Sequence, residues 1–331
     1  MLALTACAEA GPAPGAPIER VRVPPGATVA AVAESLHAHG IIADRFRFRI
    51  TARLRRLDRA LQAGVYDFRR GERTEAVLAA LAEGRTAAQR FTAPEGITLA
   101  ELAALAAERI GVPADSVLAA ARRVASEGVL PDAGPALEGF LLPETYTLPV
   151  EVSAEDLVRA MAGGFRDAWQ PEWDARADTL GMTRREVVTL ASIVEGEARV
   201  GAERATIAGV YHNRLRRQMP LQADPTVQYA IQIATGERKP RLFLKDYRFP
   251  SPYNTYLHPG LPPGPISSPG LASIVAALYP ADVPWLYFVA RGDGRHVFSA
   301  TYREHVNAIN RIRRGEPGAG SGERDTTGPR R

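Results

Sequence analysis

The chain has 331 residues, 46% of them hydrophobic and 24% charged, with 41 lysines and arginines against 37 aspartates and glutamates and a formal net charge of +4. This is ordinary globular composition, long enough for two or three packed units. A single cysteine, Cys7, excludes an internal disulfide and a thiolate metal cluster, and scattered arginines without interleaved aromatics give no case for nucleic acid.

No apolar run approaches the roughly 18–20 residues of a membrane span. Met1 to Cys7, MLALTAC, looks like the end of an apolar segment, and Leu4-Thr5-Ala6-Cys7 resembles a lipoprotein cleavage box without the basic region that precedes one. A truncated anchor, a lipoprotein signal and an apolar terminus of no meaning all fit. With the Ala-, Pro- and Gly-rich stretch that follows, residues 1–17 read as a linker or the remnant of an anchor.

Residues 18–85 read as a small β-α-α-β module. Ile18 to Val23 alternates as a strand; Thr28 caps a helix that buries Val29, Val32, Ala33 and Leu36 and ends at Gly40. Asp44 caps a second helix with Phe48, Ala52 and Leu57 inward, and Ala63 to Phe68 returns as a strand. The layout is that of a LysM-like glycan-binding module; the alternative is a structural appendage without a ligand. Thr74 is expected to cap a further helix that Gly84 closes.

A mixed α/β catalytic domain is expected over 86–314. Arg90 to Ala93 reads as a strand, Thr98 with Glu101 as a capping box opening a helix to Gly111, and Asp115 as the start of one closed by Gly128. LEGFLLPETY, 137 to 146, is an apolar loop or strand with two carboxylates, and Ser153 and Asp156 cap a helix to about Trp169. The central element is Met182 to Arg199. Thr183 and Glu186 form a capping box, Val187 to Val194 is almost unbroken apolar sequence, and Glu195 and Glu197 end it.

Glu195 leaves the face that buries Val188 and Ala191, so its carboxyl is partly desolvated. Desolvation lifts a glutamate above its reference of about 4.3, as a general acid near neutral pH requires; the alternative is a helix end fraying into solvent. Two residues on, Glu197 points about 200° away and reads as a supporting or surface group rather than a nucleophile.

Ala202 to Gln218 reads as a helix packed against the central one. Beyond Leu221 come short segments broken by proline, then SPYNTYLHPGLPPGPISSPG, which must be a loop. Its Tyr253, Asn254 and Tyr256 have the composition of a sugar site, with rings to stack on pyranose faces and polar tips for hydroxyls. Pro269 to Tyr279 reads as a helix, Trp285 to Ala290 and His296 to Ser299 as a hairpin around Gly292-Asp293-Gly294, and 315–331 as a disordered tail. His212, His258, His296 and His305 match no metal-ligand spacing, and neither metal nor cofactor is expected.

LEGFLLPETY (137–146), ASIVEGEAR (191–199), LQADPTVQYA (221–230), SPYNTYLHPGLPPGPI (251–266) and YFVARGDGRHVFSATYREH (287–305) together resemble the endolytic murein transglycosylases of the MltG/YceG-like group. The resemblance implies an α+β bacterial enzyme, anchored in the inner membrane with its catalytic part in the periplasm. Such an enzyme cuts peptidoglycan glycan strands internally to leave 1,6-anhydro-N-acetylmuramic ends, beside murein synthases of the elongation machinery. The family's catalytic glutamate falls on Glu195. Tyr253, Asn254 and Tyr256 are then sugar contacts, Asp224, Thr226 and Gln228 line the cleft or orient Glu195, and Glu138, Glu144 and Glu197 support the wall. Glu144 stands where the family often has aspartate. Two other readings stay open: a non-catalytic glycan-binding scaffold, and a hydrolase that leaves a reducing end.

Overall fold

In a computed structural model, residues 9–315 are described; the apolar start at Met1 to Cys7 and the tail from 316 on lie outside them. The described residues form twelve α-helices and three two-stranded sheets, a mixed architecture in which no sheet exceeds a hairpin-sized pair. None of these helices is long and apolar enough to cross a membrane. The chain divides into two compact units, residues 9–91 with 146–153, and 92–145 with 154–315.

The first unit has the strand–helix–helix–strand order read from the sequence. β1 (Ile18–Val23) pairs antiparallel with β2 (Gly64–Arg69), Ile18 opposite Arg69 and Val23 opposite Gly64. Between them lie α1 (Val29–Ala38), capped by the Thr28 hydroxyl, and α2 (Arg45–Leu54), whose first amides at Phe46 and Arg47 donate to Asp44. Val32, Ala33, Leu36, Phe48 and Ala52 close on Val21, Tyr66 and Phe68. The buried Tyr66 hydroxyl donates to the Gln62 carbonyl at 2.8 Å, so its burial leaves no polar atom unpaired.

α3 (Thr74–Glu83) ends at Gly84 in the left-handed region, φ +67°, as expected. Its start differs. Arg73 holds the cap position, and the fully buried Thr74 donates both its N–H and its hydroxyl to Glu9 at 2.8 Å. A carboxylate from the N-terminal strip thus satisfies an amide that has no helical partner. β3 (Ala88–Thr92) then pairs with β4 (Thr145–Pro149).

The second unit is mainly helical. α4 (Leu99–Ile110) opens with the expected Thr98–Glu101 capping box, followed by α5 (Ala114–Ser126) and α6 (Ala154–Ala168). α7 (Pro171–Leu180) was not legible in the sequence pattern, and α8 (Arg184–Glu197) follows it with both halves of the Thr183–Glu186 box formed. From Val187 to Val194 every α8 residue is at most 2% exposed, so this helix is the core around which α9 (Arg204–Arg216), α10 (Asp224–Thr235) and α11 (Leu271–Leu278) assemble.

α10 corrects the expectation of broken segments after Leu221: Pro225 lies in its first turn, where a missing N–H costs nothing. β5 (Tyr287–Ala290) and β6 (His296–Ser299) form the expected antiparallel hairpin, and α12 (Tyr302–Arg313) follows from a Thr301–Glu304 capping box that the sequence reading passed over.

The polar end of α9 points inward and ties down the neighbouring loops. His212 Nε2 is 2.8 Å from the Ala277 carbonyl, and the Asn213 amide donates to Val283 and Trp285. Arg214 donates to the carbonyls of Leu286, Pro220 and Leu221. Ala277 lies in the last turn of α11 and the other carbonyls lie outside helices, so none of them has a regular helical partner.

Candidate active site

The end of α8 carries its two glutamates into different surroundings. Glu195 has only 8% of its side chain exposed. One oxygen is 3.1 Å from Arg204 Nη2; the other accepts from the Gly270 amide at 3.0 Å and the Ser273 hydroxyl at 2.8 Å. Since Gly270 is the N-cap of α11, Glu195 serves as the carboxylate that satisfies the start of that helix.

Glu197 turns instead into a cavity of about 240 Å³, which it lines with Tyr211, Arg214, Gln222, Asp224, Tyr256, Phe288 and His296. Its Oε1 accepts from the Tyr211 hydroxyl at 3.0 Å. Burial first, and then the negative charge of Asp224, pushes the Glu197 carboxyl up from 4.5 to about 7; Tyr211 and Arg214 pull the other way. Glu197 thus holds a carboxyl near neutral pH at the end of α8. Gly196, between the two, is required by close approach: a Cβ there would lie 2.8 Å from the ring carbons of Pro225 at the start of α10.

The rest of the cavity comes from separate elements. Asp224, at the start of α10, accepts from the Tyr256 hydroxyl at 2.6 Å. Phe288 meets Tyr211 edge-on at 5.8 Å and His296 at 5.2 Å. His296 Nδ1 lies 2.8 Å from Glu203, which fixes the ring. Gln222 adopts a left-handed φ of +49°, a strained backbone for a residue with a side chain.

Of the residues singled out in the sequence, Asp224 and Tyr256 reach this cavity with Glu197. Tyr253 does not line it and packs edge-on against Tyr229 at 5.0 Å. Asn254 is fully buried, donating to the carbonyls of Tyr247 and Phe249 and accepting from the Tyr256 amide. It shapes the loop that carries Tyr256.

Thr226 is likewise buried, bonded to Ala223 and Thr255, and Gln228 donates to the Lys239 carbonyl. Glu138 is a wall residue, accepting from the Leu99 amide at 3.0 Å and the Tyr229 hydroxyl at 3.1 Å, and burial lifts its carboxyl to about 7. Glu144 is exposed, and its backbone carbonyl, not its carboxylate, receives the Ala93 amide.

Tyr211, Gln222, Phe288 and His296 were missed as site residues. Tyr211 had a signal: a tyrosine three residues before Arg214 shares its helix face. For the others no local pattern distinguishes a cavity-lining side chain from a packed one.

Four sequence segments converge on this one cavity: 191–199 with Glu197, 221–230 with Leu221, Gln222 and Asp224, 251–266 with Tyr256, and 287–305 with Phe288 and His296. The profile of the YceG-like family matches residues 21–311. The chain belongs to the YceG-like family. Among its relatives is the endolytic murein transglycosylase of Bacillus subtilis strain 168, 33% identical over 307 residues that cover 87% of this chain and 83% of that protein. The protein of the same name from Streptococcus pneumoniae D39 is 29% identical over 327 residues, and the match spans 87% of this YceG-like chain but 58% of the pneumococcal one. The crystal structure of a YceG-like protein from Listeria monocytogenes superposes with a TM-score of 0.60 at 32% identity, covering 88% of this chain and 99% of that one.

Proposed function

We propose that this YceG-like chain is an endolytic peptidoglycan lytic transglycosylase whose general acid and base is Glu197. It cleaves the bond from N-acetylmuramic acid to N-acetylglucosamine within glycan strands and terminates their elongation. The observation that carries the assignment is the Glu197 carboxyl held near 7 inside a cavity. Relatives named endolytic murein transglycosylases support the reaction class.

Protonated Glu197 gives its proton to the glycosidic oxygen as that bond breaks. The resulting carboxylate then takes the proton of the muramic C6 hydroxyl, whose oxygen closes on C1 to form the 1,6-anhydro ring. No water is consumed, and one carboxyl suffices. Tyr211 holds Glu197 in place, burial and then the charge of Asp224 favour its protonated form, and Phe288 and Tyr256 offer aromatic surface to a sugar ring. Glu195, on which the family resemblance sets the acid, would have to release bonds to Arg204, Gly270 or Ser273 before serving in that role. The proposal includes a LysM-like, glycan-holding role for the N-terminal module. That role rests on the strand–helix–helix–strand layout; action at the periplasmic face of the bacterial inner membrane, beside murein synthases, is also included and rests on the family resemblance.

A second reading has an observation in its favour: Asp224 shares the cavity with Glu197, and two carboxylates are the equipment of a glycoside hydrolase. Mass spectrometry of fragments released from purified peptidoglycan separates the cases. Anhydromuramic ends from wild type and Glu195→Gln, with turnover down about 10²–10⁴-fold in Glu197→Gln, are expected. Anhydro ends that survive Glu197→Gln and vanish in Glu195→Gln return the role to Glu195. Reducing ends mean a hydrolase, and glycan retained without cleavage means a binding scaffold.

A further inference from the structure

The second helix of the N-terminal module has two apolar faces, and only one is inside. Phe48 and Ala52 of α2 are fully buried, whereas Phe46, Ile50 and Leu54 are 65%, 42% and 80% exposed. At about 100° per residue these three form a stripe on the side of the helix opposite Phe48 and Ala52. Nothing in the fold of the module requires them there: its core is complete with the inner face.

The stripe is embedded in positive charge. Residues 44–59 hold seven arginines and two aspartates, a local net of +5 against +4 for the whole chain. Arg45 and Arg55 pair with Glu34 and Glu75, while Arg49 and Arg53, which flank the stripe, are exposed and make no ion pair among the described residues. A groove of about 530 Å³ runs along the same face past Val29 and Ala30.

We propose that this face of α2 is a membrane-surface contact, seated on a bilayer rich in anionic phospholipid. Phe46, Ile50 and Leu54 enter the headgroup–acyl boundary, and Arg49 and Arg53 meet lipid phosphates. A soluble anionic polymer would use the arginines alone and leave three large apolar side chains in water. A bilayer takes both features at once. The inference is independent of the catalytic assignment, since none of these residues belongs to the cavity at Glu197.

The test is co-sedimentation of the full chain at low salt with vesicles of phosphatidylcholine, with and without phosphatidylglycerol. Wild type is expected to bind the anionic vesicles, more weakly as salt rises, and not the neutral ones. Near an anionic surface each arginine strengthens binding about fivefold, so Arg49→Gln with Arg53→Gln weakens it about 25-fold. Phe46→Ser with Leu54→Ser weakens it at least about tenfold.

Both pairs are exposed, so melting curves stay at wild-type values. A Phe46→Trp reporter shifts its emission to the blue on anionic vesicles. Absence of wild-type binding, or equal binding by all variants, overturns the proposal. So does loss in the arginine pair alone without a blue shift, which would mark contact with a polymer rather than a bilayer.

Discussion

Asp224→Asn isolates the electrostatic part of the site. The change preserves the shape of the side chain and leaves an oxygen to accept from Tyr256, whose hydroxyl lies 2.6 Å away, while removing the charge that faces Glu197. The Glu197 carboxyl rises from 4.5 to about 7, with burial the larger cause and Asp224 the next. Removing Asp224 lowers it by on the order of one pH unit, about 1.4 kcal/mol between its two protonation states. With Glu197 in its proposed role as the acid, wild-type turnover is expected to decline above about pH 7, and the variant to decline roughly one unit lower. Initial rates of anhydromuramic fragment release, measured by chromatography from about pH 5 to 9, report both limbs. Near pH 5 the variant should match wild type, and at pH 8 it should be about tenfold slower. An alkaline limb that does not move, or a loss that is uniform in pH, would refute the coupling of Asp224 to Glu197.

Asn254→Ala should act on stability rather than on sugar affinity. It leaves the Tyr247 and Phe249 carbonyls and the Tyr256 amide without their buried partner, and urea titration should show a loss of about 1–3 kcal/mol. Glu138 gives a pH signature. Its folded value near 7 lies above the unfolded 4.5, so the neutral form stabilises the fold fully below about pH 4.5, and that contribution is lost as pH rises through 7. The loss is on the order of 3 kcal/mol. Glu197 acts in the same sense. Glu138→Gln should therefore flatten, without abolishing, the decline of unfolding free energy between about pH 4.5 and 7 in denaturant titrations.

Much of the local structure was legible because it depends on neighbours in sequence. Thr28, Asp44, Thr98 and Thr183 cap the helices they were read to cap, and Gly84 and Gly111 end theirs in the left-handed conformation. The departures have different causes, some local and one distant. Thr74 looked like a cap, but Glu9, 65 positions away, supplies the acceptor. Pro225 looked like a breaker and opens α10 instead. Asn254 was read as a sugar contact, and in the structure both hydrogens of its amide go to carbonyls of its own loop.

By itself the sequence determined the β-α-α-β order of the first module, the burial of α8, and that two glutamates stand at the end of α8. It also determined that Glu195 and Glu197 face apart, since two residues on a helix span about 200°. Which of the two meets the cavity was decided only by tertiary structure. Arg204, Gly270 and Ser273 close around Glu195, while Tyr211, Asp224 and Tyr256 gather around Glu197 from α9, α10 and the following loop. A carboxyl's proton affinity is set by burial and by charges within a few ångströms, and in this chain those charges come from residues far from it in sequence.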